Sequence, residues 1–351
     1  MSSPALAPSA PTPRFHRPEL DALRFGAFLL VFLHHALPHE SAAYGWAPRV
    51  LAQGLAAAGR AGALGVDLFF ALSAFLITEL LLREQRATGT LNIRAFYARR
   101  ILRIWPLYFF ALAVLAPAMQ LSDPADRLPA GYTAAFALLS GNWACAWAGY
   151  PSSSFSLLWS VSIEEQFYLA WPWLVRRNLA RLRVIAWAMI AVAWITRLVL
   201  LDAQHPAVWC NTLARLDPIA AGILLAGRET QFSAPRRGLL IGGGALGMLT
   251  IGAIGDHAGP AALWSYPLAA LSSAAILRGV LGLMLRQPAI EYLGKISFGL
   301  YVFHVAALRI AGSAVMGLAL TVLAAALSYR FLEAPFLRWK GRLARVESRP
   351  I

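Results

Sequence analysis

The sequence predicts an all-α, polytopic integral membrane protein with about ten transmembrane helices and both termini in the cytoplasm. Of its 351 residues, 59% are hydrophobic, and the mean hydropathy is +0.59. Charged residues make up only 14%, and they cluster between apolar runs. The net charge of +14 could suit nucleic acid, but its position between the apolar runs excludes that partner and favours a lipid bilayer.

Apolar segments of spanning length, separated by proline, glycine and charge, place the helices. Residues 1–18 form a predicted disordered cytoplasmic tail, because they are proline-rich and lack the apolar core of a secretory signal. Residues 19–340 form a single predicted transmembrane domain, and residues 341–351 a second cytoplasmic tail. The predicted spans are 20–38, 62–82, 104–121, 157–175, 184–201, 212–227, 238–255, 261–281, 294–313 and 315–337.

The segment 131–148 is also apolar, but Gly141, Asn142 and Gly149 interrupt it. If it stays on the outer side, 23 of the 31 lysines and arginines fall on one side of the membrane, as the positive-inside rule requires. An eleventh crossing would scramble that asymmetry. We therefore predict a non-crossing or re-entrant outer segment here.

The first span carries Arg24 and, eleven residues later, His35. Eleven residues bring a helix back to within about 20° of the same face, about 16 Å further along. Ionisable groups inside a membrane are costly, so a pair that shares a face indicates a functional site. The alternative is that Arg24 anchors lipid headgroups while His35 only bonds a neighbouring helix.

Two arginines, Arg100 and Arg103, lie one helical turn apart where the third span begins. Paired guanidinium groups bind phosphate in a bidentate manner, and with Arg24 on the same side they predict a phosphate ligand. Ordinary headgroup anchoring is the alternative for any single arginine.

At the start of the fourth span, Ser162, Glu165 and Tyr168 share one face at three-residue spacing. Glu165 is the predicted cavity carboxylate, whereas Glu164 is expected to face water. A carboxylate beside His35 would raise the basicity of the imidazole and fix its tautomer. A purely structural, helix-linking Glu165 is the alternative.

The sequence does not decide the roles of several other polar residues. Asp67 and His304 lie within or at the edge of apolar spans and, with Ser162 and Tyr168, are candidate substrate contacts. No spacing of histidine, cysteine or carboxylate suits a metal, so none is expected. Cys145 and Cys210 both fall in outer segments; a disulfide is possible there, but two buried thiols are favoured.

Six blocks in this order resemble the membrane-bound acyltransferase family 3, the bacterial O-acetyltransferase type. The resemblance covers Glu19 to Leu337, and Ala74 departs from the glycine usual at that position. The blocks are Arg24-x10-His35, GVDLFFALSAFLIT, Arg100-x-x-Arg103, WSVSIEEQFYLAWP, YLGKISFGLYVFH and SYRFLEAPF.

The resemblance implies transfer of an acyl group, typically acetyl from cytoplasmic acetyl-CoA, to a hydroxyl of a glycan or lipid-linked saccharide. Arg24, Arg100 and Arg103 would hold the CoA phosphates. His35 would act as general base or carry the acyl group itself, with Glu165 orienting it. The bacterial cytoplasmic (inner) membrane is the implied location, and residues 19–340 would be the acyltransferase domain. Oligomeric state stays open.

A multi-spanning secondary transporter or exporter of a saccharide intermediate is the alternative, with His35 and Glu165 relaying protons. Such proteins tend to show matching halves with broken helices. This sequence shows no internal repeat, because its candidate residues concentrate in the first half.

Overall fold

The computed structural model describes residues 17–228 and 232–341, and every regular element in those ranges is helical. Most of the two predicted tails therefore lies outside the described residues. In chain order the helices are α1 (Pro18–Ala36), α2 (Arg49–Ala61), α3 (Gly65–Thr88), α4 (Ile93–Phe110), α5 (Ala116–Ser122), α6 (Ala130–Ala137), α7 (Gly141–Ala148), α8 (Trp159–Arg177), α9 (Leu182–Val199), α10 (Leu216–Leu225), α11 (Ala234–Ile254), α12 (Ala262–Val280), α13 (Pro288–Lys295), α14 (Ser297–Ala311), α15 (Ala314–Ser328) and α16 (Ala334–Gly341).

Each predicted span overlaps a helix or a helical run, and the all-helical fold is confirmed for the described residues. Five continuous helical segments there are long and apolar enough to cross a membrane, or six if α13 and α14, bent by 73°, form one broken span. The count of ten crossings and the sides of the termini stay predictions. The five segments are Arg49–Thr88, Ile93–Ser122, Leu179–Val199, Ala234–Ile254 and Ala314–Trp339.

Two segments predicted as outer connections contain helices. The segment 131–148 forms α6 and α7, and eight residues at 1.5 Å each reach only about 12 Å, too short to cross singly. Leu139, with φ of 55°, makes the turn between them. The predicted loop 39–61 is instead largely α2, which continues into α3 through a 3-10 turn.

Close packing against the start of α3, and against the 3-10 turn before it, positions the second half of α1. Added Cβ atoms at Gly62 and Gly65 would lie within 3 Å of α1 atoms, at the levels of His34 and of Val31. These glycines therefore let the two backbones approach closely. Helix α1 ends just before Pro38, whose ring disfavours helical geometry in the preceding residue, Leu37.

Candidate active site

Helix α1 places Arg24 and His35 near its opposite ends, which we call the arginine end and the histidine end. Arg24 donates to the buried carboxylate of Asp21 at 2.8 Å, one turn earlier on the same helix. The Arg24 side chain lines a cavity among α1, α3, α4, α8 and α14.

The cavity encloses about 820 Å³ of empty space, counting its open mouth. All three predicted phosphate-binding arginines line it, contributed by α1 and α4. Its other polar groups come from α3, α8 and α14, and apolar side chains fill the rest of the wall. The charged and polar lining residues are Arg24, Arg100, Arg103, Ser73, Glu164, Tyr168, Ser160, Ser297 and Tyr301.

The two arginines of α4 keep donor capacity for a ligand. Within the described residues, neither Arg100 nor Arg103 has a carboxylate within 4 Å, and Nε of Arg100 is buried without a hydrogen-bond partner. The Arg100 guanidinium lies over the rings of Phe96 and Tyr168, at 5.7 and 5.8 Å from their centroids. A buried, unpaired guanidinium N–H is costly, and a phosphate oxygen would satisfy it.

At the histidine end, His35 contacts His304 of α14. Nδ1 of His35 lies 2.9 Å from the Val31 carbonyl oxygen and 3.2 Å from Nε2 of His304. Nδ1 of His304 in turn lies 2.6 Å from the carbonyl oxygen of Tyr301. Because a carbonyl only accepts, this network assigns the hydrogen to Nδ1 of each neutral ring. Nε2 of His35 is then the nitrogen whose lone pair is free to act as a base.

The donor cavity and the histidine pair are neighbours but not one continuous cleft. Tyr301 lines the cavity, and its ring centroid lies 5.6 Å from that of His304, which is fully buried behind it. His35 itself is exposed. Among the described residues the cavity therefore reaches from Arg24 to Tyr301 and does not include His35 or His304.

Of the two adjacent glutamates, Glu164 and not Glu165 is the cavity carboxylate. Glu164 lines the cavity, close to Ser73 and Tyr168, whose hydroxyls bond each other. Glu165 instead accepts from Nε1 of Trp105 at 3.0 Å on the α4 side. Within the described residues, the side chain that hydrogen-bonds His35 is His304. The predicted contact between Glu165 and His35 is therefore wrong.

Asp67 belongs to a buried ion-pair cluster rather than to the cavity. Its carboxylate lies 3.0 Å from the Arg215 guanidinium, and both side chains are fully buried. A second pair, Arg197 with Asp217, joins at 2.7 Å. The Arg215 guanidinium also lies 4.0 Å from the centroid of the Trp209 ring. Asp67 therefore braces α3 against the segment that leads into α10.

Of the two predicted substrate contacts on α8, Ser162 and Tyr168, only one lies at the cavity. Tyr168 lines the cavity, whereas Ser162 does not. Ser162 is buried, and its hydroxyl donates to the Leu158 carbonyl oxygen at 3.4 Å. The cysteines are both free and buried, and the Cys210 thiol donates to the Tyr150 hydroxyl at 3.2 Å.

Sequence reasoning missed three residues at this site. The sequence pattern does not single out Ser73 or Tyr301, and it predicts that Glu164 faces water. Only Glu164 carried a usable signal, since two adjacent carboxylates at a span boundary cannot both point the same way.

Comparison with known proteins gives one consistent result. A sequence profile of the acyltransferase domain that defines acyltransferase family 3 matches residues 17–332. A Staphylococcus aureus (strain COL) protein provisionally named an O-acetyltransferase is 27% identical over 317 residues, which cover 78% of this chain and 52% of that protein. No solved structure matches.

Two further relatives carry the name OatA. The peptidoglycan O-acetyltransferase OatA of Listeria monocytogenes is 28% identical over 234 residues, covering 61% of this chain and 35% of the relative. The O-acetyltransferase OatA of Staphylococcus aureus (strain NCTC 8325) is 25% identical, covering 94% of this chain and 58% of the relative. The chain spans about half the length of the curated relatives it matches.

Proposed function

The chain belongs to membrane-bound acyltransferase family 3, and on that premise we propose that it transfers an acetyl group from acetyl-CoA to a hydroxyl of a glycan or lipid-linked saccharide. The observation that carries the proposal is that one helix, α1, holds both a phosphate-binding arginine and a histidine with a free base nitrogen. Arg24 opens into a cationic cavity, and His35 offers a free base nitrogen about three turns further on.

The cavity residues suit the diphosphate of CoA. Arg100 and Arg103 supply guanidinium donors that no described carboxylate occupies, while Asp21 holds Arg24 in place. Apolar side chains such as Phe69 and Leu76 line the wall beyond, where the thin pantetheine arm would lie. Arginine is suited to this boundary because its charge persists and its donors match phosphate oxygens.

In direct transfer, Nε2 of His35 takes the proton of the acceptor hydroxyl while that oxygen bonds to the thioester carbonyl carbon. The carbon–sulfur bond then breaks, and His35 passes the proton to the departing sulfur. The products are the ester and free CoA thiol. His304 accepts from Nδ1 of His35 and so stabilises the imidazolium that forms between the two proton transfers.

In the acyl-carrier route, Nε2 of His35 attacks the thioester carbonyl carbon and CoA leaves as its thiolate. The acceptor oxygen next attacks the acyl carbon, the nitrogen–carbon bond breaks, and the hydroxyl proton neutralises the thiolate. Both routes use the same free lone pair on Nε2.

We place the arginine end at the cytoplasm, because the predicted one-sided set of lysines and arginines includes Arg24, Arg100 and Arg103. Acetyl-CoA would then be held from inside the cell, and the acceptor would reach the exposed His35 from the outer side of a bacterial cytoplasmic membrane. This arrangement gives each substrate its own end of the protein.

Mass spectrometry of surface glycans tests this function. Cells with the gene intact should carry ester-linked acetyl groups that are absent after gene deletion and are not restored by a normally inserted His35→Ala protein. A His39→Ala protein is the matched control, because His39 lies in the turn after α1 and its ring Nε2 bonds the His34 carbonyl oxygen. Unchanged acetylation after deletion would contradict the proposal.

A further inference from the structure

Tyr301 occupies the boundary between the donor cavity and the histidine pair. It is 7% exposed, it lines the cavity, and it lies one turn before His304 on α14. Its ring centroid lies 5.6 Å from that of His304, so a single aromatic ring lies between the cavity and the histidine pair.

Hydrogen bonds hold the ring in this position. The Tyr301 hydroxyl donates to the Leu157 carbonyl oxygen at 3.0 Å and lies 2.6 Å from the Ser160 hydroxyl, so α14 is tied to the start of α8. The ring of Phe69, from α3, lies 6.1 Å away in an edge-to-face arrangement. Three helices therefore meet at this ring.

The thioester carbon must come within bonding distance of the group that reacts with it at His35. The cavity that would hold the donor stops at Tyr301, whereas His35 is exposed on the far side of His304. A permanently open passage would let water from the histidine end reach the thioester. The partition thus has a chemical purpose, since excluding water prevents loss of a reactive acyl group.

Building on the proposed function, we infer that Tyr301 is a positioning residue that separates the donor from the histidine pair and admits the acyl group when its ring turns aside. The turn breaks two hydrogen bonds of the phenol hydroxyl and leaves the backbone of α14 in place. The Tyr301 carbonyl keeps its bond to His304 throughout, so the tautomer of the pair is preserved.

The test measures thiol release from acetyl-CoA by the purified full-length protein with no acceptor added, so that water is the only acyl acceptor. Tyr301→Ala should raise this hydrolysis at least tenfold over wild type, and adding His35→Ala to it should abolish the gain. Tyr301→Phe keeps the ring but loses the hydroxyl bonds, so it should give a smaller rise and remain folded. Tyr132→Phe is the control, since it also removes a partly buried tyrosine hydrogen bond, to the Gly149 carbonyl oxygen, and Tyr132 does not line the cavity.

CoA binding, measured by calorimetry on the same preparations, distinguishes a failure of the Tyr301 partition from a failure of the proposed function. If CoA binds to wild type and to both Tyr301 variants but neither variant raises hydrolysis, the partition is wrong while the donor site stands. A rise in hydrolysis that persists in the Tyr301→Ala/His35→Ala double variant also overturns the partition. If CoA does not bind to wild type, the proposed function itself fails.

Discussion

Nε2 of His304 lies 3.2 Å from Nδ1 of His35, although 269 residues separate the two in the chain. Because the other nitrogen of His304 is bonded to a backbone carbonyl, His304 can only accept from His35. The contact therefore decides which nitrogen of His35 carries the hydrogen, and it leaves the other nitrogen free for acyl-transfer chemistry.

Removing the imidazole of His304, which accepts a hydrogen bond from His35, should slow the chemical step without weakening CoA binding. His304→Ala is expected to lower kcat about tenfold to hundredfold, while the Kd for CoA stays unchanged. His304→Gln should recover part of the rate, because its side-chain oxygen can take the place of Nε2.

The pH–rate profile separates this role from simple packing. Protonation of His35 removes the free lone pair, so the rate should fall on the acid side. Since His304 contacts Nδ1 of His35, His304→Ala should shift that acid limb, whereas a change confined to packing would leave it in place. An unmoved limb together with a full rate would contradict the assignment of His304.

The arginines of α4 should act on donor affinity. Arg100→Ala and Arg103→Ala should each weaken CoA binding about tenfold or more and should reduce its dependence on salt. Arg94→Ala is the matched control, because Arg94 is exposed on the same helix and does not line the cavity. Equal losses for all three variants would point to general electrostatics instead of a phosphate site.

The two adjacent glutamates should behave differently. Glu164→Gln removes a negative charge from the cavity and keeps the side chain's shape, so CoA should bind about threefold more tightly at low salt. Glu165→Ala should leave CoA affinity unchanged but lower the thermal midpoint, because Nε1 of Trp105 loses its acceptor. Isothermal calorimetry and thermal unfolding check both; the reverse pattern would restore Glu165 as the cavity carboxylate.

The buried pair of Asp67 and Arg215 should be structural. Asp67→Ala leaves an unpaired buried guanidinium and should destabilise the fold by about 3–5 kcal/mol. The double variant Asp67→Ala/Arg215→Leu no longer contains the unpaired guanidinium, so it should recover part of the lost stability. Thermal unfolding of both variants measures the difference; a double variant less stable than Asp67→Ala would contradict the ion-pair account.

The sequence alone was sufficient for features that depend on local spacing. The helical period relates Arg24 to His35, and it brings Arg100 and Arg103 to one turn of α4 beside Arg24. Apolar length and helix-breaking residues also predict most helices to within a few residues, because both signals act over short distances. They miss α2, and they start the third span at 104 although α4 begins at Ile93.

Features that depend on distant partners were not predictable. Which of Glu164 and Glu165 enters the cavity depends on how α8 is rotated against α3 and α4, and adjacent residues differ by about 100°. The partner of Asp67 is 148 residues away, and Tyr301 gains its position only from the meeting of three helices. No local pattern encodes such contacts.

The most direct test of the central claim, that His35 does the chemistry while the arginine end holds the donor, is CoA-thiol release from acetyl-CoA alongside CoA binding. In native membranes that supply the acceptor, the full-length wild-type protein should release thiol from acetyl-CoA and His35→Ala should release essentially none. In purified form, both proteins should bind CoA with the same Kd. A His35→Ala protein that releases thiol at the wild-type rate, or a wild-type protein that neither binds CoA nor releases thiol, would contradict the account.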